Sequence, residues 1–291
     1  MHRNGNFSAV FCALLTAGCA PSPTSSGASR PPAATPSFAS KHLPERALGD
    51  RPDDKSGHQV HVIYALPSDG VDRALDTDGT IASSMAAIDA WLQRQTGGPH
   101  LRLDTWRGAL DVTFVRFGMT DRAIAASAQY VRDVLEAELA AQGFARRNKL
   151  YAVYYDGLST ASCGGGAWPP KAPGHVAALY LRGVPADGAR RCVQKPIGTS
   201  PDTPSYVELG FLHEMFRSLG IVGACAPHHC RSGHVSDDPR DLMYAGDAPW
   251  HPSLLDVGHD DYYAHGQTDC LDLARSAYLE PLPSAATPPP E

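Results

Sequence analysis

The chain has 291 residues, of which 43% are hydrophobic, and its formal net charge is −6 at pH 7. This length suits one large domain or two small ones. The acidic balance argues against a nucleic-acid partner, because such proteins usually present a basic surface. Beyond the N-terminus, no apolar run is long enough to cross a bilayer.

The first residues of the chain resemble a bacterial export signal. His2 and Arg3 precede a short apolar stretch, 7–15, and the sequence Leu-Thr-Ala-Gly-Cys ends at Cys19. Small residues before a cysteine resemble the lipobox at which lipoproteins are cleaved and lipidated. We therefore expect Cys19 to carry acyl chains that anchor the protein to a membrane, facing the periplasm or the cell exterior. Cleavage after Ala20, which would give a secreted protein, is the alternative.

Composition divides the chain into four parts. Residues 1–18 form the signal peptide. Residues 19–57 are rich in Pro, Ser, Ala and Thr, and such a tract is expected to be a disordered tether because it cannot bury a core. One domain is expected over residues 58–280, and the Pro-rich tail 281–291 is expected to be disordered as well.

Hydrophobic periodicity predicts alternating strands and helices within this domain. The predicted strands are 58–65, 101–105, 110–117, 150–155 and 176–181. The predicted helices are 81–94, 121–142 and 206–219. This order indicates an α/β domain. The last third of the chain lacks periodicity, and irregular segments of that length usually carry a site.

The most informative stretch is 211–263. It places His213 and Glu214 on the third predicted helix, which ends at Gly220, and a His-rich loop then leads to the sequence Asp-Leu-Met-Tyr at 241–244. This arrangement resembles the metzincin-type zinc metallopeptidases, and more closely bacterial secreted proteins with a His-Glu-x-x-His helix that ends in glycine. The resemblance implies a mixed twisted sheet packed on helices, an active-site helix and an irregular C-terminal subdomain.

The resemblance also implies roles for individual residues. His213 would bind zinc, and Glu214 would take a proton from metal-bound water during hydrolysis of a peptide or protein substrate. Met243 would lie in the methionine turn below the metal. His228 is the first candidate for a further zinc ligand, and His234 is the second.

Arg217 departs from the pattern, because a second ligand histidine should stand four residues after His213. A guanidinium has no acceptor atom and stays protonated, so it cannot bind zinc, but it can pair with Glu214 three residues earlier. Gly223 stands at the closest metzincin spacing for the third ligand. Two functions therefore remain open: a zinc metallopeptidase with substitute ligands, and a non-catalytic surface-anchored binding or structural module on the same fold.

The cysteines fit an exported protein, in which thiols usually pair. Seven are present in the chain. Cys230 is interpreted as the cysteine left without a disulfide, with a substitute zinc ligand as the alternative. A cysteine-hydrolase dyad with the neighbouring His228 or His229 is a weaker interpretation. The preferred disulfide pairs are Cys163–Cys192 and Cys225–Cys270.

A cluster of acidic and tyrosyl residues occupies 256–263, with the sequence DVGHDDYY. Clustered carboxylates are typical calcium ligands. The start of a solvated helix is the favoured interpretation of this segment, and a calcium site is the alternative.

Overall fold

The computed structural model describes residues 45–127, 130–160, 162–167, 175–184, 196–230, 233–284 and 286–287. The chain divides into two compact units, 1–41 and 42–291, and every described residue belongs to the second. The predicted signal peptide, Cys19 and most of the predicted tether lie outside the described residues. None of the helices in the described part is both long and apolar enough to cross a membrane.

A five-stranded sheet forms the centre of this unit, with strand order β5-β1-β6-β8-β7. The first four of these strands are parallel, and the edge strand β7 runs antiparallel to β8. This mixed, mostly parallel sheet confirms the predicted α/β class. The strands in chain order are β1 (Gln59–Leu66), β2 (His100–Leu101), β3 (Thr105–Trp106), β4 (Ala109–Leu110), β5 (Val112–Arg116), β6 (Lys149–Tyr155), β7 (Gly164–Gly165), β8 (His175–Tyr180), β9 (His229–Cys230), β10 (His234–Val235) and β11 (Leu279–Glu280).

Helices cover both faces of the sheet. Alternate residues of a strand point to opposite faces, and β1 shows this directly, since Val62 and Ile63 belong to two different buried clusters. The Val62 cluster includes apolar residues of helices α1 and α4, and the Ile63 cluster includes those of α2 and α3. The helices are α1 (Thr80–Thr96), α2 (Asp121–Ser127), α3 (Val131–Ala141) and α4 (Tyr206–Leu219).

Two predicted elements are subdivided in the structure. The single helix expected over 121–142 is the pair α2 and α3. Asp121, which was expected to cap it, instead accepts hydrogen bonds from the Tyr155 hydroxyl at 3.0 Å and the Leu158 amide at 2.8 Å. The two strands expected over 101–117 are the four shorter strands β2 to β5. Tertiary contacts of this kind are not visible in local periodicity.

The folded unit begins before residue 58, where the tether was expected to end. Ala47 is buried and bridges Thr113 of β5. Arg46 pairs with Asp76 at 2.7 Å, and further along Arg51 pairs with Asp111 at 2.6 Å. The composition of this tract suggested disorder, but its arginines find acidic partners on the domain. The predicted tail is partly ordered in the same way, since the Thr287 amide donates to the Arg275 carbonyl at 2.7 Å.

The C-terminal part that follows α4 is irregular, as the sequence predicted. Its described residues form short two-residue strands, turns and one 3-10 turn, Leu273–Arg275. The segment 256–263 consists of turns and bends, so the favoured interpretation of a helix start was wrong. A disulfide between Cys225 and Cys270 spans this part of the chain.

Candidate functional site

Helix α4 carries the central residues of the candidate site. Its first turn is fixed by Glu208, whose two carboxylate oxygens accept the amides of Ser205 at 2.6 Å and Gly198 at 2.8 Å. It ends at Gly220, whose φ of 68° is a left-handed conformation that suits glycine. The apolar residues of the helix are buried against the sheet, and this packing fixes the positions of His213 and Glu214.

His213 is buried and oriented by a backbone hydrogen bond. Its Nδ1–H donates to the Leu242 carbonyl at 2.7 Å, within the segment predicted as the methionine turn. Burial lowers the pKa of His213 to about 4, the charge of Arg217 acts in the same direction, and the Leu242 bond opposes both. The imidazole is therefore neutral at pH 7, and its Nε2 is left as an acceptor. A backbone bond of this kind is how proteins commonly orient histidine ligands.

His234 and Trp250 flank His213. The His234 ring stacks on the His213 ring with centroids 5.0 Å apart, and the Trp250 ring meets it edge-on at 5.8 Å. His234 lies on β10, paired with Cys230 of β9. The second of the two histidines proposed from the sequence is thus a neighbour of His213, although its role as a metal ligand stays a prediction.

Glu214 forms an ion pair with Arg217. Arg217 Nη1 lies 3.2 Å from Glu214 Oε2, and both side chains are only 16% exposed. Burial raises the pKa of the Glu214 carboxyl, whereas the Arg217 charge opposes this shift. The carboxylate that the resemblance implies as general base is therefore engaged by Arg217.

The edge strand β7 lies directly against this ion pair. A methyl group at Gly164 would come within 3.1 Å of Glu214 Cγ. One at Gly166 would come within 2.5 Å of the Glu214 carbonyl and 2.8 Å of Arg217 Cβ. The glycines therefore allow a close approach between the edge strand and α4 that a larger residue would prevent. This contact was not predicted from the sequence.

His228, the first candidate for a further zinc ligand, has different neighbours. Its backbone amide and its Nδ1 both contact the Asp261 carboxylate, at 2.7 Å and 3.0 Å. It groups with Asp237 and Asp261 as a set of possible metal ligands. Within the described residues, no set of three such side chains includes His213. The ligand set expected from the resemblance, His213 with His228 and a third residue, is therefore not assembled there.

Met243 is fully buried in the same cluster as the apolar residues of α4. Asp241, two residues before Met243, accepts several hydrogen bonds in this segment, and the sequence did not predict this role. Its Oδ1 accepts the Met243 amide at 2.7 Å and the Tyr262 hydroxyl at 2.8 Å, and its Oδ2 accepts the Val257 amide at 2.8 Å. These bonds hold the turn that presents the Leu242 carbonyl to His213. The only sequence signal was an acidic residue beside buried apolar ones.

A second polar cluster that the sequence did not reveal lies around β1 and β6. His61 Nδ1 contacts Asp104 Oδ2 at 2.6 Å, and Lys149 also pairs with Asp104. All three side chains are fully buried. Lys149 makes a further ion pair with Asp53 at 2.7 Å. A histidine and a lysine within otherwise apolar strands were the signal that could have indicated it.

Of the predicted disulfides, one lies entirely within the described residues. Cys225 is joined to Cys270 with a Cα–Cα distance of 5.7 Å, which is the pair preferred from the sequence. Cys163 is also disulfide-bonded. Its preferred partner, Cys192, lies outside the described residues. Cys230 retains its thiol and is half-buried.

The fold is therefore that of an α/β domain with a mostly parallel sheet. No family model and no curated protein matches the sequence. Among solved structures, archaemetzincin from Methanopyrus kandleri is similar at 13% identity and a TM-score of 0.32, over 66% of this chain and 83% of that chain. A catalytically inactive OgpA from Akkermansia muciniphila, in complex with an O-glycopeptide, is similar at 13% identity and a TM-score of 0.27, over 62% of this chain and 50% of that chain.

Proposed function

We propose that this protein is a metallopeptidase-like protein that binds peptides and does not hydrolyse them, because Arg217 occupies the site of hydrolysis. The observation that carries the proposal is the contact of 3.2 Å between Arg217 Nη1 and Glu214 Oε2, beneath the edge strand β7. The carboxylate next to His213 on α4 is that of Glu214. Because it is paired with Arg217, it is not available to accept a proton as a general base.

The residues present do not fit the zinc that a metallopeptidase would carry. Catalytic zinc takes three protein ligands and one water. Among the described residues, His213 has one imidazole neighbour, His234, and no set of three ligand groups includes it. Arg217 adds a fixed positive charge on the same helix face, which opposes a cation there. These residues therefore do not support hydrolysis by a zinc-bound water.

Peptide binding is supported by the position of β7. It is the last strand in the order of the sheet, and among the described residues it pairs on one side only, with β8. An edge strand offers unpaired backbone groups to which an extended peptide can add. A peptide aligned in this way would pass beside Glu214 and Arg217, whose charges could then bind its polar groups.

An active zinc peptidase is the second candidate, and one observation favours it. The His213 and His234 rings are neighbours, and the Nδ1 of His213 is already bonded to the Leu242 carbonyl. In that case His213 and His234 would supply two of the protein ligands of the metal. This candidate requires Arg217 to release Glu214.

Incubation with a mixture of short random peptides, followed by mass spectrometry of the products, separates the two candidates. We expect the full chain to retain peptides without cleaving them. Cleavage that is lost on chelation and in Glu214→Gln, but kept in the control Glu45→Gln at an exposed position, would overturn the proposal in favour of the zinc peptidase.

We also propose that the protein is exported and anchored through Cys19. The support is the short basic and apolar start of the chain and the small residues before Cys19. Cys19→Ser should move the protein from the membrane fraction to the soluble exported fraction. Retention of the wild-type protein in the cytosol would contradict the proposal.

A further inference from the structure

We propose that Asp256, Asp260 and Asp261 form a calcium site in the irregular C-terminal part of the protein. One carboxylate oxygen from each residue lies within 4.8 Å of the oxygens of the other two. The set shares no residue with the His213 site and does not depend on the proposed function.

The oxygens of Asp256 show that the cluster is more than a group of surface acids. Asp256 is 4% exposed. Its Oδ2 accepts the amides of Tyr262 and Tyr263, at 2.8 Å and 2.6 Å. Its Oδ1 is buried and makes no hydrogen bond. A buried carboxylate oxygen without a partner is costly, and a bound cation would remove that cost.

Asp260 provides the second such oxygen. Its Oδ1 is also buried without a donor, although part of the side chain reaches solvent. A Cβ at Gly258 would come within 2.9 Å of this oxygen, so the glycine leaves the oxygen room within the turn. Two carboxylates of one short turn thus each keep an oxygen that no protein group occupies.

The charge around the cluster also favours a cation. A fourth carboxylate, that of Asp237, is linked to the cluster by His228. The Nδ1 of His228 lies 3.8 Å from Asp237 Oδ2 and 3.9 Å from Asp260 Oδ2. Within the described part of the chain, His228 is the one basic side chain that pairs with aspartates of this group, and it pairs with Asp237, Asp260 and Asp261. An all-carboxylate set of hard oxygen atoms suits Ca²⁺ better than Zn²⁺, which prefers nitrogen and sulfur.

A cation at this position would join two segments of the C-terminal part. Asp261 already accepts the backbone amide of His228, so the ion would lie between the turn 256–261 and the loop that follows α4. Because Asp256 also holds the amides of Tyr262 and Tyr263, the ion would stabilise the chain up to the core tyrosine Tyr262. We therefore expect calcium to raise the thermal stability of the folded protein.

The test is the thermal unfolding of the purified full-length chain, first freed of calcium with EGTA and then titrated with CaCl₂. At a hundredfold excess over the dissociation constant, the midpoint should rise by roughly 5–10 °C. Asp260→Asn should abolish the rise with little change in the midpoint in EGTA, since its Oδ1 has no protein partner. Asp269→Asn, an exposed position nearby, is the matched control and should keep the full response.

Asp256→Asn provides a second variant, because an amide oxygen can still accept the bonds from Tyr262 and Tyr263. Calorimetry should show one Ca²⁺ per wild-type chain and none in either variant. The proposal is overturned if the wild-type chain binds no Ca²⁺, or if Asp256→Asn and Asp260→Asn respond as strongly as Asp269→Asn. None of these measurements involves zinc or peptides, so they are independent of the fate of the proposed function.

Discussion

Arg217 lies one helical turn beyond His213, at the distance where side chains of a helix become neighbours. An imidazole there could share a metal with His213, whereas the guanidinium reaches back to Glu214 at 3.2 Å. Its charge also contributes to the low pKa of His213. In the proposed function, Arg217 therefore stands where a ligand would be needed, adds a repulsive charge and engages the carboxylate that would be the general base. At this scale the sequence was sufficient, because both the missing histidine and the i,i+3 ion pair could be predicted from it.

Asp104 is the residue on which the buried charge cluster depends. Replacing it by Asn would leave Lys149 and His61 without their shared carboxylate in a fully buried position. Lys149 would keep its ion pair with Asp53, so the loss is that of buried hydrogen bonds to a charged group, and Asp104→Asn should lower the free energy of unfolding by about 1.5–3 kcal/mol. Chemical denaturation at pH 7 measures this, with Asp269→Asn as an exposed control. A loss below about 1 kcal/mol would show that the cluster contributes little.

The same carboxylate gives a pH dependence with a definite sign. Burial would raise the pKa of Asp104, but its bonds with His61 and Lys149 outweigh this and lower it. A group with a lowered folded pKa contributes stability above its unfolded pKa of about 3.9 and loses it as the pH falls through the folded value. The stability difference between wild type and Asp104→Asn should therefore shrink in strongly acidic buffer. A difference that grows on acidification would contradict the assignment.

The helices and strands follow from sequence wherever one pattern dominates. Helix α4 was predicted with the bounds observed, because its apolar spacing and Gly220 agree. The division of 121–142 into two helices was missed, because the bonds of Asp121 to Tyr155 and Leu158 are tertiary. The contact of β7 with Glu214 was missed for the same reason. Periodicity reports what a segment does by itself, and these features depend on what packs against it.

Glu208 fixes the start of α4, and its replacement tests how much its hydrogen bonds contribute to the stability of the fold. Glu208→Ala leaves the amides of Ser205 and Gly198 without their acceptor. We expect a loss of about 1–3 kcal/mol of unfolding free energy, as for unsatisfied buried amides. Glu208→Gln keeps an acceptor oxygen and should lose less. Equal losses for the two variants, measured by urea unfolding, would argue that charge and not hydrogen bonding matters.

A substitution at Gly166, the residue that follows β7, tests the close approach of this edge of the sheet to α4. The methyl group of Gly166→Ala would lie 2.5 Å from the Glu214 carbonyl, so the strand must move. Stability should fall by about 1–3 kcal/mol, and peptide binding should weaken in parallel. Gly118→Ala is the matched control, because a methyl group there meets no atom within 4 Å. Unchanged peptide binding in a folded Gly166→Ala variant would separate β7 from the binding site.

At the scale of the whole molecule, the irregular C-terminal part is held by the Cys225–Cys270 disulfide and not by regular structure. The disulfide closes a sequence separation of 45 residues. Loop-closure entropy for such a length corresponds to about 4 kcal/mol of unfolding free energy. The double variant Cys225→Ser/Cys270→Ser should lose most of this in chemical denaturation. Cys230→Ser, which keeps the disulfide, is the control and should lose clearly less.

In the proposed function, Arg217 prevents zinc from binding at a metallopeptidase-like site. The most direct test is the zinc content of the purified full chain after equilibration with excess zinc and removal of the unbound metal. We predict far less than one equivalent of zinc for the wild type, a gain in Arg217→His, and no gain in Arg240→His, where an exposed arginine pairs with Asp238. One tightly bound zinc per wild-type chain, lost in His213→Ala, would contradict the account.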